Sequence, residues 1–292
     1  MGDKAIGNTV GIVHGAANYL DTWDERFAHL KALGYDTLDV GLSNIKSDIY
    51  ADVTAMENHC TEIRTAAQKA GLTIAQVHGP WPTDDTTADG IKWGWECMHK
   101  AVYGCHLLGA PYLVIHPQMP FGWDADTDPD AAEQQTVDLL KELAADGETY
   151  GVTICLENMP FRKQRISSMQ YIVQAVEKVQ SPFVGICLDT GHCNFLKEDI
   201  AENVYLAKDH LKTLHIHDNR TLSDAHLLPF MGNIDWTAFA KALADIGFTG
   251  SLSLETGSVN PEKMDAPLIE AYEKYVYATI DRIRRMVAAY RE

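Results

Sequence analysis

VGICLDTGH, residues 184–192, is an apolar run that stops at two residues able to bind a metal, Asp189 and His192. Five further runs end the same way. They are TIAQVHGP (73–80) at His78, YLVIHP (112–117) at His116, TICLEN (153–158) at Glu157, KTLHIHDN (212–219) at His215 or His217, and SLSLET (251–256) at Glu255. The steps from 78 to 116, 157, 189, 215 and 255 are 38, 41, 32, 26 and 40 residues, each long enough for one strand, one helix and their loops. A parallel sheet with one ligand at the C-terminal end of each strand gathers all of them at one mouth. In a barrel of eight strand–helix units that mouth, framed by the βα loops, is where active sites form.

The alternation continues on either side of these runs. NTVGIVHG (8–15) reads as a first strand. DTWDERFAHLKALG (21–34) reads as a helix with Asp21 at its N-cap and Gly34 at its stop, and YDTLDVGL (35–42) as a second strand. Carried to the long closing helix LIEAYEKYVYATIDRIRRMVAAY (268–290), the pattern gives eight strands alternating with eight helices. Several of the strands are unbroken apolar runs, as strands covered on both faces require. The expected fold is therefore α/β, a single (β/α)₈ TIM barrel domain spanning residues 1–292.

Composition narrows the function. With 46% hydrophobic residues the chain can bury a large core, and it carries no low-complexity linker that would divide it. No apolar run approaches the ~20 residues of a membrane span. The opening MGDKAIGNTVGIVHG has no basic segment followed by an apolar one, so a soluble, cytoplasmic protein is expected. The cysteines, Cys60, Cys97, Cys105, Cys155, Cys187 and Cys193, show no C-x-x-C spacing and read as reduced, packed thiols. A net charge of −17 suits nucleic acid poorly, because binding there draws on clustered Lys and Arg. No Gly-rich nucleotide motif occurs, although Arg162, Lys163 and Arg165 after the fifth strand are candidates for an anionic substrate group. Tyr272, Tyr275 and Tyr277 on the closing helix are candidates for a contact between copies in a homo-oligomer.

Glu157, Asp189, one histidine of the 215/217 pair and Glu255 come from strands five to eight. Three carboxylates and an imidazole around one point suit a divalent ion such as Mn²⁺, Mg²⁺, Co²⁺ or Zn²⁺, with positions left for substrate oxygens. The ending His215-Ile216-His217 is read as turning its imidazoles to opposite faces, so that one enters the barrel and the other packs behind. His78, His116 and His192 are further metal candidates, His192 also a substrate-binding one. Trp81 and Trp123, just past strand ends, are candidates to pack against the apolar face of a sugar.

Taken in order, HGP, IHP, LEN, LDTGH, HIHDN, DAHLLPFMGNIDW (224–236) and LET resemble the xylose isomerase-like barrel superfamily. That superfamily includes sugar and sugar-phosphate isomerases and epimerases, and also zinc-dependent apurinic endonucleases. The resemblance to its ketose 3-epimerases implies one metal on Glu157, Asp189, His215 and Glu255. His215-Ile-His-Asp218 fits the His-x-x-Asp pattern of the metal histidine where His217 does not. It further implies proton transfer between Glu157 and Glu255 through a metal-stabilised enediolate, with His192 and Arg220 on the sugar hydroxyls. The alternative it carries is a multi-zinc phosphodiester hydrolase, with His78, His116, His192, Asp224 and His226 as additional ligands. A metal-dependent dehydratase or a non-catalytic sugar-binding barrel are the remaining readings.

Overall fold

The computed structural model describes residues 8–123 and 127–292; the opening residues 1–7, read above for a leader, lie outside that set. The strands are β1 (Val10–Val13), β2 (Thr37–Gly41), β3 (Thr73–His78), β4 (Tyr112–Ile115), β5 (Thr153–Glu157), β6 (Val184–Asp189), β7 (Leu211–His215) and β8 (Leu252–Leu254). All their pairings are parallel, in the order β7-β6-β5-β4-β3-β2-β1-β8. A parallel bridge between Ile216 and Leu254 joins the two ends of the sheet. There the Ile216 N–H donates to Ser253 O at 2.8 Å and the Glu255 N–H to Ile216 O at 3.1 Å. The expected eight-stranded α/β barrel is the fold found.

Ten α-helices surround it among the described residues: α1 (Trp23–Leu33), α2 (Asp48–Ala51), α3 (Val53–Ala70), α4 (Ala88–Leu108), α5 (Pro129–Tyr150), α6 (Met169–Val179), α7 (Thr190–Leu196), α8 (Ile200–Ala207), α9 (Trp236–Asp245) and α10 (Ala266–Tyr290). The eight expected helices are there. The additional ones, α2 and α7, are too short to show a helical hydrophobic period and sit inside βα loops. Asp21 is not the cap of α1. Thr22 is, because Glu25 stands three residues on and closes a reciprocal capping box with it.

The core lies between the outer face of the barrel and the inner faces of the helices, with Phe27, Leu30, Leu140, Ile172 and Phe239 among its buried side chains. The six cysteines are free and buried. On α10, Tyr277 meets Tyr35 edge-on at 5.2 Å and Tyr272 packs against the core, which leaves Tyr275 49% exposed. No helix among the described residues is long and apolar enough to cross a membrane.

Candidate metal centre

Register places the acidic strand ends side by side: Glu157 pairs with Cys187, and Asp189 with His215. Asp189 is also the N-cap of α7. Its Oδ1 accepts the His192 N–H at 2.6 Å, so the LDTGH turn brings His192 back over the strand end that supplies Asp189. Asn158 ties β5 to β6, accepting the Asp189 N–H at 2.8 Å and donating to Asp189 O at 3.1 Å. Ligand atoms of Glu157, Asp189, His215 and Glu255 all lie within 4.8 Å of one another. His215 Nδ1 is 2.6 Å from Glu157 Oε1 and 3.5 Å from Glu255 Oε2.

This donor set fits a divalent cation. Three carboxylates converge in the interior of a barrel, where like charges are costly unless a positive charge joins them. Glu255 Oε2 is buried without a hydrogen-bond partner. Burial pushes the Glu255 carboxyl up to about 8 against the pull of His215, with Glu157 and Asp189 adding to the rise. Burial also opposes charge on Glu157, yet His215 and His116 beside it hold its carboxyl well below the usual range. At Asp189, His192 and His217 outweigh burial and hold the carboxyl at about 2.

The other histidines reach the same mouth. His78, Glu157 and His215 form a second group of converging donors, and His116 Nε2 lies 2.9 Å from Glu157 Oε2. Burial pushes the His116 imidazole down to about 4. A third group joins His192, His217, Asp224 and His226. His78, His192 and His226 each place Nδ1 on a backbone carbonyl, of Gly79 at 2.9 Å, Asn158 at 2.7 Å and Glu255 at 3.0 Å. A carbonyl accepts only, so each Nδ1 carries the proton and each Nε2 is left to face a carboxylate. His192 Nε2 is 3.3 Å and His226 Nε2 3.2 Å from Asp224 Oδ2. Although burial opposes it, Asp189 and Asp224 hold His192 up at about 10, and Asp224 with Glu255 holds His226 at about 9.

One expectation fails here. Residues two apart in a strand share a face, so His215 and His217 both turn inward. Both are fully buried; His217 Nε2 lies 3.0 Å from Asp189 Oδ2, and its ring stacks on that of His226 at 3.8 Å. Period two, applied to HIH, was the signal that identifies His217. Gly191 makes room for this ring, because a Cβ there would stand 1.9 Å from His217 Cε1. Two other polar side chains of the barrel interior, Asp39 and Gln76, carry no mark in the sequence beyond being polar within apolar strands.

Of the substrate-binding candidates, Trp81 lies edge-on to His116 at 4.3 Å and stacks on Trp123 at 5.5 Å. Trp123 is 49% exposed and so offers free surface beside the histidines. The Arg220 guanidinium donates to Met231 O at 3.2 Å and 3.3 Å. Arg162 donates to the carbonyls of Phe195 and Thr221, Arg165 pairs with Asp130, and Lys163 joins them around an open cavity of about 680 Å³.

Carboxylates and imidazoles converge at successive strand ends in the mouth of a (β/α)₈ barrel, and fold and donor set together define the class. Residues 27–277 match the family model of the xylose isomerase-like TIM barrel, and the chain belongs to that family. It is 27% identical over 233 residues to a D-psicose 3-epimerase of Ruminiclostridium cellulolyticum, an alignment covering 76% of this chain and 74% of that protein. The crystal structure of a D-tagatose 3-epimerase-like protein superposes with a TM-score of 0.77 at 20% identity, covering 96% of this chain and 98% of the other. The IOLI protein, whose crystal structure has a bound zinc atom, superposes with a TM-score of 0.72 at 20% identity over 97% of this chain and 99% of that one. The psicose relative is a sugar epimerase, and the two crystal structures, each at 20% identity, share this chain's fold.

Proposed function

We propose that the protein is a divalent-metal-dependent sugar or sugar-phosphate epimerase or isomerase in which Glu157 and Glu255 exchange a proton with carbon next to the substrate carbonyl. The observation that carries this reading is the convergence of Glu157, Asp189, His215 and Glu255 within 4.8 Å. A bound divalent ion would polarise the carbonyl and offset the negative charge that develops when the proton leaves. The residues supply the rest. β5 and β8 are not neighbours in the sheet, so Glu157 and Glu255 approach the mouth from different sides. One can take a proton from one face of a planar carbon while the other returns one to the opposite face. Asp189 and His215 complete the donor set between them. His192 stands at its edge for a sugar hydroxyl, and Trp123 offers a ring face to the sugar's C–H groups.

Metal-loaded protein incubated with ketoses in deuterated water is expected to incorporate deuterium next to the carbonyl, and Glu157→Gln or Glu255→Gln to slow turnover by about 10²–10⁴-fold. Unchanged turnover in both variants would remove the two glutamates from the mechanism.

A second reading, a multi-zinc phosphodiester hydrolase, is favoured by the group His192, His217, Asp224 and His226. The first reading stands ahead of the second because a net charge of −17 suits a nucleic-acid substrate poorly. Two or three zinc ions per chain together with cleavage of DNA at abasic sites would reverse that order.

A further inference from the structure

The sequence gives no reason to single out Asp39, which lies mid-way along β2 in the stretch TLDVG. In the fold the residue is 2% exposed and its side chain reaches across the barrel to β7, where Asp39 Oδ2 lies 3.0 Å from His215 Nε2. Gln76 on β3, itself 1% exposed, donates from Nε2 to the same Asp39 oxygen at 2.9 Å and to Leu214 O at 3.3 Å. We propose that Asp39, held in place by Gln76, is the positioning residue that fixes His215 as an Nδ1 ligand of the metal centre. The inference rests on the metal reading above and adds to it a residue outside every group of converging donors among the described residues.

Carboxylates stand at both nitrogens of the ring. His215 Nδ1 faces Glu157 and Glu255, whereas Nε2 faces only Asp39. A cation held by the glutamates would take the Nδ1 lone pair, and the Asp39 carboxylate, as an acceptor, would then keep the remaining proton on Nε2. A carboxylate behind a metal-bound imidazole also raises the basicity of the ligand and stops the ring from turning, and the loss of such a partner commonly weakens metal binding by about 10–100-fold. Gln76 in turn anchors Asp39 from the strand next to its own. Its amide is spread between the carboxylate and the Leu214 carbonyl, which belongs to the residue directly before His215. The strand that carries the ligand and the acid that orients it are therefore tied to one side chain.

Asp39 could instead serve only to satisfy a buried imidazole, and the test separates the two roles. Asp39→Asn keeps the size and leaves an amide oxygen for the Nε2 proton but removes the charge. Asp39→Leu removes both, and Gln76→Met releases Asp39 without touching His215. For full-length protein, Mn²⁺ affinity is read by electron paramagnetic resonance titration and ligand geometry by the visible absorption of Co²⁺-loaded protein, with the circular dichroism of metal-free samples as the fold control. The expected result is a graded weakening, about 10-fold or more for Asp39→Leu, less for Asp39→Asn and for Gln76→Met, with an altered Co²⁺ spectrum in each. Wild-type affinity and an unchanged spectrum in folded Asp39→Asn and Gln76→Met would overturn the inference while leaving the metal reading intact. Wild-type protein that binds neither ion would overturn the metal reading and this inference with it.

Discussion

Glu255 is the residue on which the site's charge balance turns. Its carboxyl, pushed up to about 8 by burial against the pull of His215, carries a proton near neutral pH that an arriving cation must displace. Metal affinity is therefore expected to rise as pH climbs from about 6 to about 8, with proton release measurable by titration calorimetry in buffers of different ionisation enthalpy. An affinity flat across that range would mean that Glu255 is already ionised or takes no part. At this scale the cluster was legible wherever a polar residue ends an apolar run, since Glu157, Asp189, His215 and Glu255, which converge in the fold, each stand at such an end. Asp39 and Gln76 were not legible, because a polar residue within a strand has the same appearance whether it faces solvent, a helix or the barrel axis. His217 was misplaced for a different reason, a wrong count of strand periodicity.

Among the elements, the β6–α7 corner does most to build the mouth. Asp189 ends the strand, caps the helix and contributes an oxygen to the site, and Gly191 lets the helix pass close to His217. Gly191→Ala is expected to force the ring or the helix aside and to cost about 1–3 kcal/mol, measured by denaturant unfolding. A variant as stable as wild type would show that the corner yields easily. The strands and long helices could be read from apolar runs and turn residues. α2 and α7 could not, since four and seven residues are too few for periodicity to emerge from a loop. The start of α1 was missed by one position because two adjacent residues, Asp21 and Thr22, can both cap, and only the partner at Glu25 decides between them.

Over the whole molecule the barrel is held at its mouth by the contact between its first and last pairing strands and by side chains from four consecutive ones, β5 to β8. A cation bound by those four strands links half the barrel, so it should stabilise the fold by mass action. At a free concentration of 100 times Kd the gain is about 2.7 kcal/mol, a shift of several degrees in Tm for a domain of this size. Chelation followed by a thermal scan is expected to lower Tm, and re-addition of Mn²⁺ or Zn²⁺ to restore it. A Tm indifferent to both would place any bound ion away from the strand ends. The barrel itself was legible because the ligand-bearing runs recur at steps that each fit one strand–helix unit, a property of chain length alone. Which sugar enters was not, because the loops that shape the pocket have no periodicity.

If four strand ends form one metal centre, protein purified without chelator carries one divalent ion per wild-type chain and none in His215→Ala, read by elemental mass spectrometry. A wild-type chain without metal, or a His215→Ala chain that keeps its full complement, would contradict such a centre.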